Sequence, residues 1–416
     1  MSAEETHVEV TDTASARNGA EFRALFRKLE TALGQIERTE NVPDMLESIL
    51  EGLLLRFATD LGFVGGRIYE RQGDEYVLVA GFGRSRHAPR GLRVPPDYPP
   101  HRELLANGLL IMSRGERGFD IEFEHTIGVS STFAAITVGQ DNSHIIAFSV
   151  TGEPRHDELL STLTALRHVI NLKLQQQHVV DIFTEARVIQ ESLLPRALPQ
   201  FEGYELAACS LPAEIVGGDL YDYFPLAEDR LGLAILDSSG HGLPAALMAR
   251  DAIIGLRMGV WDQTPIPVMI ERLNRVMARA ALASRFVSLF YAELRRDGRL
   301  TYCNAGHNPP LLGRGDEFVE LDRGGTLLGP LPASRFESAE VTMRSGDVLL
   351  LYTDGVVERQ NAAGDEFGLA RLRTLMRELE GAHAASIVGE VLSAADSFGN
   401  HSVMLDDITV LAVRRL

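Results

Sequence analysis

Cysteine is nearly absent from this chain of 416 residues: only Cys209 and Cys303 occur, and neither lies in a CxxC pair or at zinc-ligand spacing. Two reduced thiols are typical of a cytoplasmic protein. Hydrophobic runs of membrane-spanning length are also lacking, so the sequence predicts no membrane span. The first twenty residues are polar and have no apolar core, which argues against a signal peptide.

Positive charge is scarce as well. Lys and Arg number 40 against 58 Asp and Glu, which gives a formal net charge of -18 at pH 7. A surface for nucleic acid or anionic membrane needs clustered cations, so neither partner is expected. The excess of carboxylates is compatible with a cation site, although a solubilising acidic surface accounts for most of it. The length predicts two domains with connecting helices.

The N-terminal half predicts helices followed by a small sensor domain. Residues 1–20 lack an apolar face and are expected to be disordered. Apolar residues at helical spacing predict a helix over 21–39, and Pro43 suits the first turn of a second helix. Two pairs of strands follow, predicted at 63–69, 75–82, 132–138 and 144–150. This order resembles a GAF domain over residues 40–156, and a PAS-type sensor is the alternative.

A long helix is predicted over residues 157–195, which form a linker. Its apolar residues step by three and four, as in coiled-coil seams, at Leu159, Leu163, Leu166, Ile170, Ile182, Ala186, Ile189 and Leu193. A polar stretch at 175–178 interrupts the pattern. The helix either packs on its own domain or forms a dimer seam with a weakened middle where a signal could act. We favour the seam, which predicts a homodimer.

Beyond residue 204 the chain alternates strands with glycine-bearing turns and a few helices. Strands are predicted at 204–210, 231–237, 287–294, 300–304, 347–352 and 408–413. Helices are predicted at 244–258, 267–283 and 369–379.

Acidic residues lie at the ends of several of these strands. Asp237 ends one apolar strand, Asp354 follows another, and Asp406 precedes the last. Burying an ionised carboxylate without a partner is costly, and a shared divalent cation would relieve that cost. Oxygen ligands without His or Cys indicate magnesium or manganese rather than zinc. Any one Asp-Gly at a strand end is more often a plain turn, so the prediction depends on the whole set.

Seven motifs, in this order, resemble the phosphatase domain of the SpoIIE/RsbU branch of the PPM family. They are QESLLP (190–195), VGGDLYD (216–222), DSSGHGLPAA (237–246), NAGHNP (304–309), LYTDGV (351–356), EFGLAR (366–371) and DDITV (406–410). The resemblance implies an α+β fold: a sandwich of two antiparallel sheets flanked by helices, behind the GAF-like sensor and the helical linker. The implied phosphatase domain covers residues 196–416.

The resemblance also implies a metal-dependent protein serine/threonine phosphatase with two Mn²⁺ or Mg²⁺ ions. Its catalytic residues would be Asp237, Asp354 and Asp406. Asp237 corresponds to the carboxylate that bridges both ions, assisted by the backbone carbonyl of Ser238. Asp354 and Asp406 correspond to ligands of the second ion, and Asp219 to a ligand that coordinates directly or through water.

Two further acidic residues, Asp407 and Asp222, are weaker candidates. Their alternative roles are a cap at a strand start and a surface or supporting carboxylate, respectively.

The sequence departs from eukaryotic members of the wider family at one position near the site. Those enzymes carry a histidine, a candidate general acid, where this chain has Ser239. His241 is expected to have a loop or substrate-facing role. His307 either shapes a loop near the site or is a packed turn histidine. No counterpart of the family's phosphate-gripping arginine is evident.

The resemblance implies a phosphorylated STAS-domain protein as substrate, within a partner-switching pathway that controls a sigma factor. The sensor would respond to a ligand or upstream regulator that the sequence does not name. The alternative function is a non-catalytic, GAF-controlled dimer that binds such a partner without turnover. Because all four carboxylates are present, the active enzyme is favoured.

Overall fold

A computed structural model describes residues 42–59, 61–94, 97–152, 155–280 and 285–416. The predicted tail at 1–20 and helix at 21–39 lie outside these residues. The chain divides into two compact units, Met1–Val180 and Asp181–Leu416, and the division falls inside the predicted linker. Among the helices of the described ranges, none has the length and apolarity that a membrane crossing requires.

The N-terminal unit contains one antiparallel sheet of six strands, in the order β3-β2-β1-β6-β5-β4. Its elements are α1 (Val42–Phe57), β1 (Phe63–Gln72), β2 (Glu75–Gly83), β3 (Arg93–Val94), α2 (Pro99–Asn107), β4 (Leu109–Ser113), α3 (Ile121–Thr126), β5 (Thr132–Val138), β6 (His144–Val150) and α4 (His156–Glu191), which continues past the division. The four predicted strands and the helix that includes Pro43 are confirmed. This order fits both sensor types, so the GAF assignment stays a prediction.

The first half of α4 corrects one interpretation. Leu159, Leu163, Leu166 and Ile170 are at most 1% exposed and pack with α1 and one face of the sheet in the core of the N-terminal unit. They are therefore not available to a dimer seam, and here the packed-helix alternative is right. Helices α2 and α3 cover the opposite face of the sheet, where a second apolar cluster lies.

The C-terminal unit contains two sheets. Its elements are β7 (Tyr204–Leu211), β8 (Leu220–Ala227), β9 (Arg230–Ser238), α5 (Leu243–Trp261), α6 (Ile266–Ala280), β10 (Val287–Arg295), β11 (Arg299–Ala305), β12 (Leu311–Arg314), β13 (Glu317–Glu320), β14 (Gly324–Gly325), β15 (Ala339–Thr342), β16 (Val348–Tyr352), α7 (Asp354–Val357), α8 (Gly368–Glu378), α9 (Ala384–Phe398) and β17 (Ile408–Arg415). One sheet has the order β14-β11-β10-β9-β8, with β15 beside β11, and the other has the order β13-β12-β16-β17-β7.

These sheets pack face to face and are enclosed by helices. Leu233 and Phe290 of the first sheet meet Leu351 and Leu411 of the second in a shared core. Helices α5 and α6 cover the outer face of the first sheet, and α8 and α9 cover that of the second. Each large side chain buried in these layers contributes about 1.5–3 kcal/mol. The predicted sandwich flanked by helices is confirmed.

Candidate metal centre

Two of the predicted carboxylates lie at neighbouring strand ends of the first sheet. Strands β8 and β9 are antiparallel, and Leu220 lies opposite Leu236. Asp219, just before β8, and Asp237, near the end of β9, therefore lie at the same end of this sheet.

The other two predicted carboxylates lie at the corresponding end of the second sheet. Strands β16 and β17 are antiparallel, with Tyr352 opposite Val410. Asp354 begins α7 directly after β16, and Asp406 lies two residues before β17. Because β16 ends and the antiparallel β17 begins at the same edge of the sheet, Asp354 and Asp406 come together there.

Hydrogen bonds join the two sheets at this end. The hydroxyl of Thr353 donates to Oδ2 of Asp219 at 2.7 Å. The backbone N–H of Gly218 donates to Oδ2 of Asp407 at 2.5 Å, and the N–H of Ser238 donates to the carbonyl of Gly218 at 3.3 Å. The acidic residues of both sheets are thus held around one site.

Electrostatics show how closely the carboxylates lie. Burial, followed by the negative charges of Asp354 and Asp406, raises the pKa of Asp237 to about 7. Burial and the charge of Asp406 raise the pKa of Asp354 to about 6. Burial and the charge of Asp237 also raise the pKa of Asp219. Carboxylates that repel one another in this way are stabilised in their charged form by a cation between them.

The loop that carries Asp219 packs closely against its neighbours at the site. A Cβ added to Gly218 would lie 2.8 Å from the carbonyl oxygen of Ser238, and one added to Gly217 would lie 2.5 Å from Oδ2 of Asp407. Glycine therefore allows this loop to approach the carbonyl and the carboxylate more closely than a residue with a side chain could.

The donor set fits hard cations that keep part of their water shell. Within the described ranges, no group of three or more His, Cys, Asp or Glu side chains is placed so that it could hold a metal ion. Asp406 is exposed, and its Oδ1 accepts a hydrogen bond from the N–H of Asp407 at 2.8 Å. Magnesium typically binds through few carboxylates and retains several waters, which matches an open acidic site and not a zinc cage.

The two weaker candidates prove to have supporting contacts. The carboxylate of Asp407, only 3% exposed, accepts hydrogen bonds from the N–H groups of Ala213 and Gly218 and so fixes the loop between them. Asp222 is buried and pairs with Nε of Arg257 at 2.7 Å.

The histidines of the motifs also differ in their surroundings. His241 is exposed and lies 2.7 Å from the carboxylate of Glu214. His307 is buried, its Nδ1 lies 2.8 Å from the hydroxyl of Ser288, and burial lowers its pKa to about 4. His307 is therefore a packed turn histidine. The hydroxyl of Ser239 accepts the N–H of Phe286 at 2.9 Å, a structural contact.

Two residues with evident roles at the site received none from the sequence. Thr353 bonds Asp219 across the sheets, and Gln190 bonds the backbone of Gly217. Both belong to motifs that the sequence analysis singled out. However, the partner of a side-chain hydroxyl or amide depends on the folded chain and cannot be read from the motif.

Comparisons with known proteins concern mainly the C-terminal part of the chain. A family model described as Stage II sporulation protein E (SpoIIE) matches residues 227–416. The chain is 29% identical over 247 residues to the phosphoserine phosphatase RsbU of Bacillus subtilis, a match that covers 58% of this chain and 72% of RsbU. It is 30% identical over 184 residues to the phosphoserine phosphatase RsbP of the same organism, covering 42% of this chain and less than half, 44%, of RsbP.

Among solved structures, the SiaA-PP2C domain of Pseudomonas aeruginosa matches with a TM-score of 0.52 and 22% identity, covering 58% of this chain and 98% of that domain. This likeness shows a PP2C-type fold.

Proposed function

We propose that this chain is a metal-dependent protein serine/threonine phosphatase, with a C-terminal domain of the SpoIIE family of PPM protein phosphatases, whose family model matches residues 227–416. One observation carries the proposal. Asp219, Asp237, Asp354 and Asp406 lie at the same end of the sandwich, where burial and neighbouring carboxylates raise the pKa of Asp237 to about 7.

The residues proposed to hold two Mn²⁺ or Mg²⁺ ions are Asp219, Asp237, the carbonyl of Ser238, Asp354 and Asp406. Such ions, when bound, supply a coordinated water of lowered pKa and neutralise charge on phosphoryl oxygens. The role of the protein is to hold the metal-binding side chains in position before the substrate binds. Asp407 and Thr353 do this by bonding the loop of Gly218 and the carboxylate of Asp219.

We propose that the substrate is phosphoserine or phosphothreonine on a STAS-domain anti-anti-sigma factor. Support for a protein substrate comes from the rim of the site. A cavity at Asp406 is also lined by Val403 and Leu405, whose side chains are 82% and 78% exposed. Apolar side chains this exposed suit contact with a folded partner better than contact with a small phosphate ester.

We propose that the sensor, through a ligand or upstream regulator, acts on the phosphatase through α4, and that this helix also forms a homodimer seam in its second half. Of the residues predicted for this half of the seam, Ile182 and Ile189 are 45% and 59% exposed and Ala186 is half-buried. The prediction was wrong for Leu193, which lies beyond the end of α4 and packs against the apolar cluster under α5 and α6. Val179, which is 51% exposed, extends the heptad spacing in the other direction. Burial of this stripe against a second copy would remove exposed apolar area from water.

The test is dephosphorylation of a phosphoserine STAS protein by the full chain, with and without manganese. Asp237→Ala and Asp354→Ala are compared with Asp251→Ala, an exposed aspartate on α5. Manganese-dependent turnover that is lost in the first two variants and kept in the third supports the proposed enzyme and site. Tight partner binding without turnover in any form would instead favour the non-catalytic module.

A further inference from the structure

A small cavity lies in the N-terminal unit, between the sheet and the helices α2 and α3. It holds about 50 Å³ and is lined largely by aromatic and aliphatic side chains, among them Tyr69, Phe123 and Phe133. In terms of the space open to the centre of a water-sized sphere, one water needs roughly 10–15 Å³. The cavity therefore suits a compact molecule of a few non-hydrogen atoms.

Three polar side chains reach this cavity from different elements. Arg67 of β1 is 1% exposed, His101 of α2 is 6% exposed and Glu124 of α3 is 2% exposed. Cores rarely bury three such groups against one apolar cavity without partners for them, because each unpaired polar atom carries a desolvation penalty.

In each of these three side chains, at least one nitrogen or oxygen atom has no hydrogen-bond partner among the described residues. Arg67 donates through one terminal nitrogen to the carbonyl of Ile127 at 3.0 Å, and Tyr98 donates to Oε1 of Glu124 at 2.7 Å. Among the described residues, Nε of Arg67, Oε2 of Glu124 and both ring nitrogens of His101 have no hydrogen-bond partner.

These atoms define what a ligand must offer. The free N–H of Arg67 can only donate, so the ligand needs an acceptor there, while Oε2 of a Glu124 carboxylate needs a donor. The opposite charges of Arg67 and Glu124 balance each other, so a charged ligand would enter the cavity without a counter-charge. Burial lowers the pKa of His101, which keeps its ring neutral and able to accept as well as donate.

We propose that this cavity binds a small uncharged carboxamide, with its carbonyl toward Arg67 and its N–H toward Glu124. The alkyl part of the amide would contact the apolar wall. This inference deepens the proposed sensor role by giving it a ligand class. The binding itself is measured without phosphatase activity, so its failure and that of the proposed function are distinguishable.

The experiment is isothermal titration calorimetry of the full chain with acetamide and propionamide, each up to about 20 mM. Acetone, which accepts but does not donate, and acetate, which is charged, are the matched probes. A ligand of about five non-hydrogen atoms binds no more tightly than roughly 3 µM, so the titration extends to millimolar concentrations to include weaker binding. We expect saturable binding of the amides, at least 10-fold tighter than that of acetone or acetate.

Two variants test the location. Ala135→Leu fills the cavity from its wall, and Glu124→Gln keeps the shape but changes the acceptor. Each should weaken amide binding at least 10-fold, whereas Glu122→Gln, on the exposed side of the same helix, should leave it unchanged. If Ala135→Leu does not fold, Glu124→Gln alone decides. The proposal is overturned if no amide saturates, in which case water alone fills the cavity. It is also overturned if acetone binds equally well, or if Glu124→Gln binds the amides like the unaltered chain.

Discussion

Gln190 bonds both backbone groups of Gly217 with its side-chain amide. Its Oε1 accepts the N–H of Gly217 at 3.0 Å, and its Nε2 donates to the carbonyl of the same residue. Gln190 lies in the last turn of α4, and Gly217 lies near the end of the loop between β7 and β8, which carries Asp219. The end of the linker helix is therefore connected by two hydrogen bonds to the loop of the candidate metal centre.

Removal of this connection should weaken metal binding. Each of the two hydrogen bonds contributes about 1 kcal/mol, so Gln190→Ala should raise the manganese concentration needed for half-maximal phosphatase activity by up to roughly 30-fold. Gln176→Ala, an exposed glutamine earlier on the same helix, is the control and should have no such effect. An unchanged manganese requirement in Gln190→Ala would show that the loop keeps its position without α4.

Gly218→Ala tests whether the close approach of the loop matters. The added Cβ would lie 2.8 Å from the carbonyl oxygen of Ser238 and 3.2 Å from Cβ of Ala245, so backbone has to move. We expect at least a 100-fold loss of kcat/KM with little loss of helix content by circular dichroism. Gly389→Ala is the matched control, since a Cβ there meets nothing within 4 Å on α9. Comparable activity in both variants would contradict the proposed role of the loop.

The exposed rim should contribute to substrate binding rather than to the chemical step. Leu405→Ser should raise KM for the phosphoprotein several-fold and leave kcat/KM for p-nitrophenyl phosphate unchanged, because the small ester does not reach the rim. Leu331→Ser, also a strongly exposed leucine, serves as control. A parallel loss with both substrates would place the effect at the metal site instead.

The sequence predicted from its strand pattern that Asp237, Asp354 and Asp406 lie at the ends of apolar strands, and the fold has them there. Asp219 was added to this set only by the family resemblance, and the role of all four as metal ligands stays a prediction.

The sequence also predicted the main strands of the sandwich. It did not predict β8 or α9, although these have eight and fifteen residues. It also did not predict β12 to β15, which are two to four residues long and have too little periodicity to be recognised. The heptad pattern of α4 was ambiguous in its first half because Leu159 and Leu163 fit a seam and a domain core equally well. Tertiary packing decided that question.

The partners of buried polar side chains could not be predicted from the sequence, for a different reason. Asp222 and Asp407 lie in motifs that could equally supply metal ligands, and only the fold shows that one pairs with Arg257 and the other holds Ala213 and Gly218. Each contact joins residues far apart in the chain, and a local sequence pattern does not predict which group a carboxylate will pair with in the folded protein.

Arg257 should matter for stability. It donates to the buried carboxylate of Asp222 at 2.7 Å and to the carbonyl of Leu193 at 2.5 Å. Arg257→Ala leaves that carboxylate buried without its partner, so we expect the C-terminal unit to lose about 3 kcal/mol of stability in urea unfolding. The double variant Arg257→Ala with Asp222→Asn should recover part of the loss, because the amide carries no charge. No recovery would mean that packing, not charge, dominates at this position.

The buried His307 should make stability depend on pH. Burial lowers its pKa to about 4, whereas an unfolded chain takes up the proton near pH 6.5. The unfolded state therefore binds more protons below pH 6.5, and stability falls as pH drops from about 6.5 to 4, by about 3 kcal/mol in full. The measurement is urea unfolding monitored by circular dichroism. As pH drops from about 6.5 to 4, the difference in free energy of unfolding between the unaltered chain and His307→Gln should decrease by about 3 kcal/mol. A pH-independent difference for His307→Gln would contradict the prediction.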